Sequence, residues 1–162
     1  MLTDFQVNDL WQQWLSAETR ALYFAEMGRR YNLLQNLLTW ATLLLTSGAT
    51  AALISNWIPQ NYAWTKPLVT ALAAALSLVT LVMQNPKKYS DCADLHFKWN
   101  RLAEEYKNLW NATYADSAAS TLTRLNEKAA EISKAGIWIK YKKQTLLKWE
   151  DHVLQDHGVK AA

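Results

Sequence analysis

The sequence predicts an all-α membrane protein built around a two-helix transmembrane hairpin, and three observations lead there. Between Arg30 and Lys66 no charged residue occurs, and this gap holds the apolar run LLTWATLLLTSGATAALISNWI, Leu37 to Ile58. A second uncharged run, PLVTALAAALSLVTLVM, follows from Pro67 to Met83. A helix needs about 20 mostly apolar residues to cross a hydrocarbon core of roughly 30 Å. The first run meets that length, and the second does so once Gln84, Asn85 and Pro86 are counted as its interfacial end. Finally, apolar residues recur at helical spacing on both sides of the hairpin, and no period-2 strand pattern of useful length is present. Buried helices in a soluble bundle are the alternative, and the flanks weigh against it. Trp40 lies near one end of the first run, with Trp57, Tyr62 and Trp64 at the other, as in an aromatic belt. Arg29 and Arg30 precede the hairpin and Lys87 and Lys88 follow it, against Lys66 alone in its loop, so both termini are expected to face the cytoplasm.

The segments follow from this frame: residues 1–32 as a cytoplasmic or interfacial amphipathic helix, 33–86 as the hairpin with crossings at about 37–58 and 67–85, and 87–162 as a C-terminal cytoplasmic helical bundle. With 162 residues, 51% of them hydrophobic, the chain is not disordered. Its net charge of +3 is too small to name a partner, although residues 87–162 carry thirteen Lys and Arg against ten Asp and Glu. Cys92 is the only cysteine, which excludes an intramolecular disulfide and fits a reducing compartment. No signal peptide is visible.

In chain order, Thr3-Asp-Phe-Gln6 has the form of a capping box, so a helix should start there. Val7, Trp11, Trp14, Leu15, Leu22 and Ala25 then recur at helical spacing, a face that would lie in a membrane interface or pack on the C-terminal helices. In the first predicted crossing Gln35, Thr39, Thr42, Thr46 and Thr50 form one polar stripe. Such hydroxyls ordinarily bond back to the preceding turn or join helices. Their regularity over five positions also fits the wall of a water-filled path in an oligomer, with Thr39, Thr42, Thr46 and Thr50 as pore-lining residues. No ionisable side chain interrupts either run, which argues against a proton relay. Beyond Pro86, Leu95, Trp99, Leu102, Tyr106 and Leu109 repeat at spacings of four and three, an a/d seam assigned to oligomerisation. Asn111–Ser120 reads as a break, and Leu122, Leu125, Ala129 and Ile132 as a further helix that Gly136 interrupts or ends. A last helix bearing Ile139, Leu146, Trp149 and Val153 should end near His157-Gly158.

Little of this carries enzyme chemistry. Cys92 and His96 stand at i, i+4, but two ligands do not make a metal site, and Glu104-Glu105 is better read as a solvated face than as an acid–base pair. No cofactor, metal or catalytic residue is assigned. One constellation does stand out: Lys134, Lys140, Lys142 and Lys143 interleave with Trp138 and Tyr141. Lysines neutralise phosphates and aromatic rings stack on bases, a combination suited to single-stranded nucleic acid and equally open to anionic lipid.

The helix AETRALYFAEMGRRYNLL, the apolar hairpin and the following KKYSDCADLHFKWNRLAEEYKNLW together resemble the SLATT family of bacterial two-transmembrane effector domains, over roughly residues 15–112. The resemblance implies a homo-oligomeric pore-forming effector of anti-phage defence in the bacterial inner membrane. It also implies a nucleotide or short oligonucleotide ligand made by a partner nucleotidyltransferase, which controls a growth-stopping loss of membrane integrity. A tetramer in contact with membrane lipid is the expected assembly, with the lysine and aromatic positions above as its ligand-binding residues. The other function class is a non-conducting, membrane-anchored helical scaffold.

Overall fold

A computed structural model describes residues 1–46, 71, 72, 74, 75, 77–79, 82 and 85–159. Four helices have described bounds: α1 Asp4–Thr46, α2 Asn85–Asn111, α3 Ala118–Ala135 and α4 Lys143–Asp156. Residues 71, 72, 74, 75, 77–79 and 82 are helical as well, and no strand occurs among the described residues. The chain divides into two compact units, Met1–Gly28 with Ser90–Ala162, and Arg29–Tyr89.

The all-α class stands, and the membrane hairpin does not. Among the described residues no helix is long and apolar enough to cross a membrane. The reason lies in where α1 runs. It starts at Asp4 and continues without a break past residue 32, the boundary expected from sequence. The described part of its uncharged stretch, Tyr31–Thr46, carries Asn32, Gln35 and Asn36 among its apolar residues. On the other side the described helix α2, Asn85–Asn111, carries Lys87 and Lys88 among its first residues. The expected crossings at 37–58 and 67–85 are therefore corrected; residues 47–70, with Thr50 and the aromatic belt of Trp57, Tyr62 and Trp64, lie outside the described residues.

The first unit is held together by apolar stripes from α1, α2 and α3, with Val153 buried on α4. The capping box closes as its sequence requires: the Thr3 backbone N–H donates to Gln6 Oε1 (3.0 Å) and the Gln6 N–H to Thr3 Oγ1 (3.4 Å), meeting donors that a helix start leaves free. From there α1 buries Leu10, Trp14, Leu15, Ala17, Ala21, Phe24 and Met27 at three- and four-residue spacing. On α2 the buried residues include Cys92, Leu95, Trp99, Leu102, Tyr106 and Leu109, and on α3 they include Leu122, Leu125, Ala129 and Ile132. The seam assigned to oligomerisation is thus the core of the chain's own bundle.

Polar groups set the register. Tyr106, fully buried on α2, donates through its hydroxyl to Asn126 Oδ1 on α3 (2.8 Å), and Asn126 Nδ2 donates to Asp9 Oδ2 on α1 (3.2 Å). Burial pushes the Tyr106 phenol well above its usual range, with Asp9 adding to the shift, so it stays a donor at any ordinary pH. One helix end follows from glycine. Gly158 has φ +72°, the left-handed region that glycine adopts without penalty. With it, Gly158 N–H bonds to Gln155 O and Val159 N–H to Leu154 O, the paired bonds of a Schellman stop for α4.

Within the second unit, Leu33, Leu37, Trp40 and Leu44 are exposed along the end of α1, and the Lys88 ammonium lies 5.9 Å from the Tyr31 ring centroid. Gln35 Nε2 donates to Thr39 Oγ1 (3.3 Å) and the Thr42 hydroxyl to Leu38 O (2.8 Å). The latter is the ordinary back-bond of a helical threonine. The side chain of Thr46 and all of Thr50 lie outside the described residues.

Candidate anion site beside the connector between α3 and α4

Residues 136–142 join α3 to α4 without regular structure, and one buried side chain organises them. Tyr23, on α1, donates its hydroxyl to Lys140 O (3.4 Å) and accepts the Lys142 backbone N–H (3.1 Å). A single phenol thereby fixes both sides of Tyr141. Its ring packs edge-on to Phe24 (5.1 Å between centroids) and lies 6.4 Å from the ring of Tyr141. Lys142 then adopts an extended conformation (φ −120°, ψ 94°) and α4 begins.

Behind the connector lies a cavity of about 430 Å³, walled by Arg20, Tyr23, Phe24, Trp99, Ser133 and Tyr141 among others. That volume falls in the range of roughly 300–1,000 Å³ typical of small-molecule sites. Its walls are mostly apolar, and Arg20 is the only charged residue among them. The Arg20 guanidinium sits 4.6 Å from the Trp99 ring centroid, and its Nη1 donates to Ser133 Oγ (3.0 Å). Among the described residues it has no carboxylate partner. Burial lowers the Arg20 pKa, while the hydroxyls of Tyr106 and Tyr141 act in the opposite direction. An arginine nonetheless stays charged at every ordinary pH.

The sequence-predicted ligand residues divide around this cavity. Tyr141 forms part of its wall. Lys134, in the last turn of α3, and Lys140, Lys142 and Lys143 are exposed, as is Trp138 at 90% of its full surface. Arg20, Tyr23 and Ser133 were not singled out from sequence. The available signal was register: position 20 lies three residues after Ala17 and three and four before Tyr23 and Phe24, all three buried, so it belongs on the edge of the core face.

The other chemistry-bearing residues have structural partners. His96 Nδ1 donates to the Ala21 carbonyl (2.9 Å), and Cys92 is buried in the core with its thiol pushed up to about 11 by burial and by Asp91. Glu105 pairs with Lys128 and with Arg101 (3.4 Å), while Glu104 is exposed. No cluster of three or more His, Cys, Asp or Glu able to hold a metal occurs among the described residues.

Two carboxylates on α1 fasten α4 in the same way. Glu18 accepts from Trp14 Nε1 (2.8 Å) and lies 2.7 Å from His157 Nε2, just beyond the end of α4. Glu26 accepts from Trp149 Nε1 (2.7 Å) and from Lys148 Nζ (3.1 Å) within α4. His157 is further enclosed by the edges of Trp11 and Trp14, with centroids at 5.4 and 4.9 Å. The helix that follows the basic connector is therefore held at two points 8 residues apart on α1. No family model, curated protein or solved structure matches this chain.

Proposed function

We propose that this chain is a ligand-controlled helical effector whose first unit senses a nucleotide or short oligonucleotide through the segment from Lys134 to Lys143. The observation that supports it most is the connector's order. Tyr23 holds the backbone on both sides of Tyr141, so the basic and aromatic side chains are presented from a fixed base. Fixing them before binding reduces the entropy lost on capture. The resemblance to SLATT effectors supports the ligand class and a partner nucleotidyltransferase as its source. Conduction is left out of the proposal, because no helix among the described residues is long and apolar enough to cross a membrane.

Binding is tested by titrating the purified full chain with short oligonucleotides and cyclic nucleotides at low and physiological salt. Trp138→Ala should weaken binding roughly tenfold or more, since stacking contributes about 1–3 kcal/mol per base. Lys142→Glu with Lys143→Glu should weaken it further and flatten its salt dependence, because fewer counterions are released. Absence of binding by the wild-type chain at low salt would end this reading.

A second reading, a helical interaction module that self-associates, draws on the second unit. Leu33, Leu37, Trp40 and Leu44 are exposed at 4, 3 and 4 spacing, the a/d pattern by which one helix meets a copy of itself. Light scattering of wild type and of Leu37→Glu decides it: a mass that does not fall in the variant removes this face from any assembly.

A further inference from the structure

The Arg20 cavity carries an inference of its own. Arginine offers five N–H donors in a planar fork. Among the described residues Arg20 uses one of them, toward Ser133 Oγ, and makes no ion pair, although Glu150 of α4 lines the neighbouring pocket with it. A guanidinium drawn partly out of water without an anion is costly, and stacking on Trp99 recovers only part of what is lost. Ser133 adds a complementary group: its oxygen accepts from Arg20, and its own proton has no acceptor among the described residues. Two donors of different kinds thus converge on one wall of a cavity whose remaining surface is apolar and aromatic.

We infer that this cavity binds a phosphate monoester on an aromatic body, with the phosphate against Arg20 and Ser133 and the flat group against Tyr141. A planar fork matches phosphate oxygens two at a time, and a serine hydroxyl completes a third contact. Phosphate is favoured over a carboxylate by the exposed lysines at 134, 140, 142 and 143, whose combined field favours the more highly charged anion. The apolar wall and the exposed ring of Tyr141 give the remainder of the ligand a place to stack. This inference rests on the sensing reading only for those lysines as an outer field. Its own contacts lie on the cavity wall at Arg20, Ser133 and Tyr141, whereas the lysines and Trp138 lie outside that wall.

Calorimetric titrations of the full chain with adenosine 5′-monophosphate, phenyl phosphate, adenosine and inorganic phosphate test it. Both monoesters should bind, and adenosine and inorganic phosphate should each bind at least roughly tenfold more weakly, as loss of a charge-assisted pair or of stacking predicts. Arg20→Gln should abolish monoester binding, Ser133→Ala should weaken it several-fold, and Lys142→Glu with Lys143→Glu should leave most of it. Because Arg20→Gln also removes the stack on Trp99, phenylglyoxal modification of the wild-type chain, mapped by mass spectrometry, serves as a check that needs no variant. Adenosine 5′-monophosphate should protect Arg20 specifically. Unprotected Arg20, or a folded Arg20→Gln chain with unchanged affinity, overturns the inference. Oligonucleotide binding that depends on Trp138, with neither monoester bound, would overturn it too while leaving the sensing reading intact. Failure of every phosphate-bearing ligand would remove both.

Discussion

Leu102 decides whether the α2 seam is core or interface. It is fully buried, flanked one turn away by Trp99 and Tyr106, and the helices that cover it belong to the same chain. Leu102→Ala removes three heavy atoms from a packed site and leaves a cavity, for which about 2–5 kcal/mol is the general cost. Domains commonly have about 5–15 kcal/mol of total stability, so this is a large share of it. For small domains 1 kcal/mol corresponds to roughly 4–8 °C in Tm, so the variant should melt at least about 8 °C lower. Leu102→Asp is harsher, because a carboxylate there must either be desolvated or bind a proton. It should not fold at 37 °C. Urea unfolding followed by circular dichroism and tryptophan fluorescence measures both, with exposed Glu104→Ala on the same helix expected to stay within about 0.5 kcal/mol. Wild-type stability in Leu102→Asp together with a smaller particle in light scattering would refute the core assignment. The seam would then join separate subunits.

Other consequences are as specific. Tyr106→Phe keeps the ring and deletes the donor to Asn126 Oδ1, and should cost about 1–2 kcal/mol in the same unfolding experiment. Glu18→Gln and Glu26→Gln each loosen one fastening of α4, so hydrogen exchange should speed up across Lys143–Asp156 while the central turns of α2 stay protected. The Cys92 thiol, raised from 9.0 to about 11 in the folded chain, favours the folded state while it remains protonated. That contribution is complete below the unfolded pKa near 9 and is lost as pH rises through about 11, since only the unfolded chain releases its proton in between. Stability should therefore fall across that window, and Cys92→Ala should flatten the fall. A thiol reagent at pH 8 should label Cys92 only after unfolding.

Much of the local structure was legible because its causes are local. Thr3 and Gln6 face each other across one turn wherever a helix starts between them, and Gly158 can enter the left-handed region whatever lies around it. The registers of α2 and α3 were also readable, since periodicity reports which face is apolar. What periodicity does not report is the owner of the opposing face. The stripe from Leu95 to Leu109 looks the same whether its partner is a second copy or α1. The residues that answer the question, Leu10 to Met27, lie roughly seventy to a hundred residues upstream. The hairpin assignment failed for a related reason. An uncharged run gives the length of sequence lacking charge, whereas a crossing depends also on how apolar the helix is, and the described part of that run, Tyr31–Thr46, carries Asn and Gln among its apolar residues.

The candidate site shows the same asymmetry between charge that is visible in a string and charge that matters in space. Lysines at 134, 140, 142 and 143 cluster in sequence, so they attract notice, and all four turn out to be exposed. Exposed ammonium groups are well solvated, so each alone adds little to the capture of an anion. Arg20 stands among Thr19, Ala21 and Leu22, with Glu18 two positions before it, and in a linear reading it is one polar position on an amphipathic helix. Folding changes its meaning. Glu18 is turned toward His157 and Trp14, Glu26 toward Trp149 and Lys148, and the nearest acids on α1 are thereby committed to α4. Arg20 is left over Trp99 with Ser133 as its hydrogen-bond partner. Residues two apart on one helix do not face each other, so Glu18 and Arg20 serve different sides of α1. Freeing Glu18 by His157→Ala should therefore loosen the end of α4 and leave phosphate monoester binding unchanged. Weakened affinity in that variant would show that the cavity depends on how α4 is fastened.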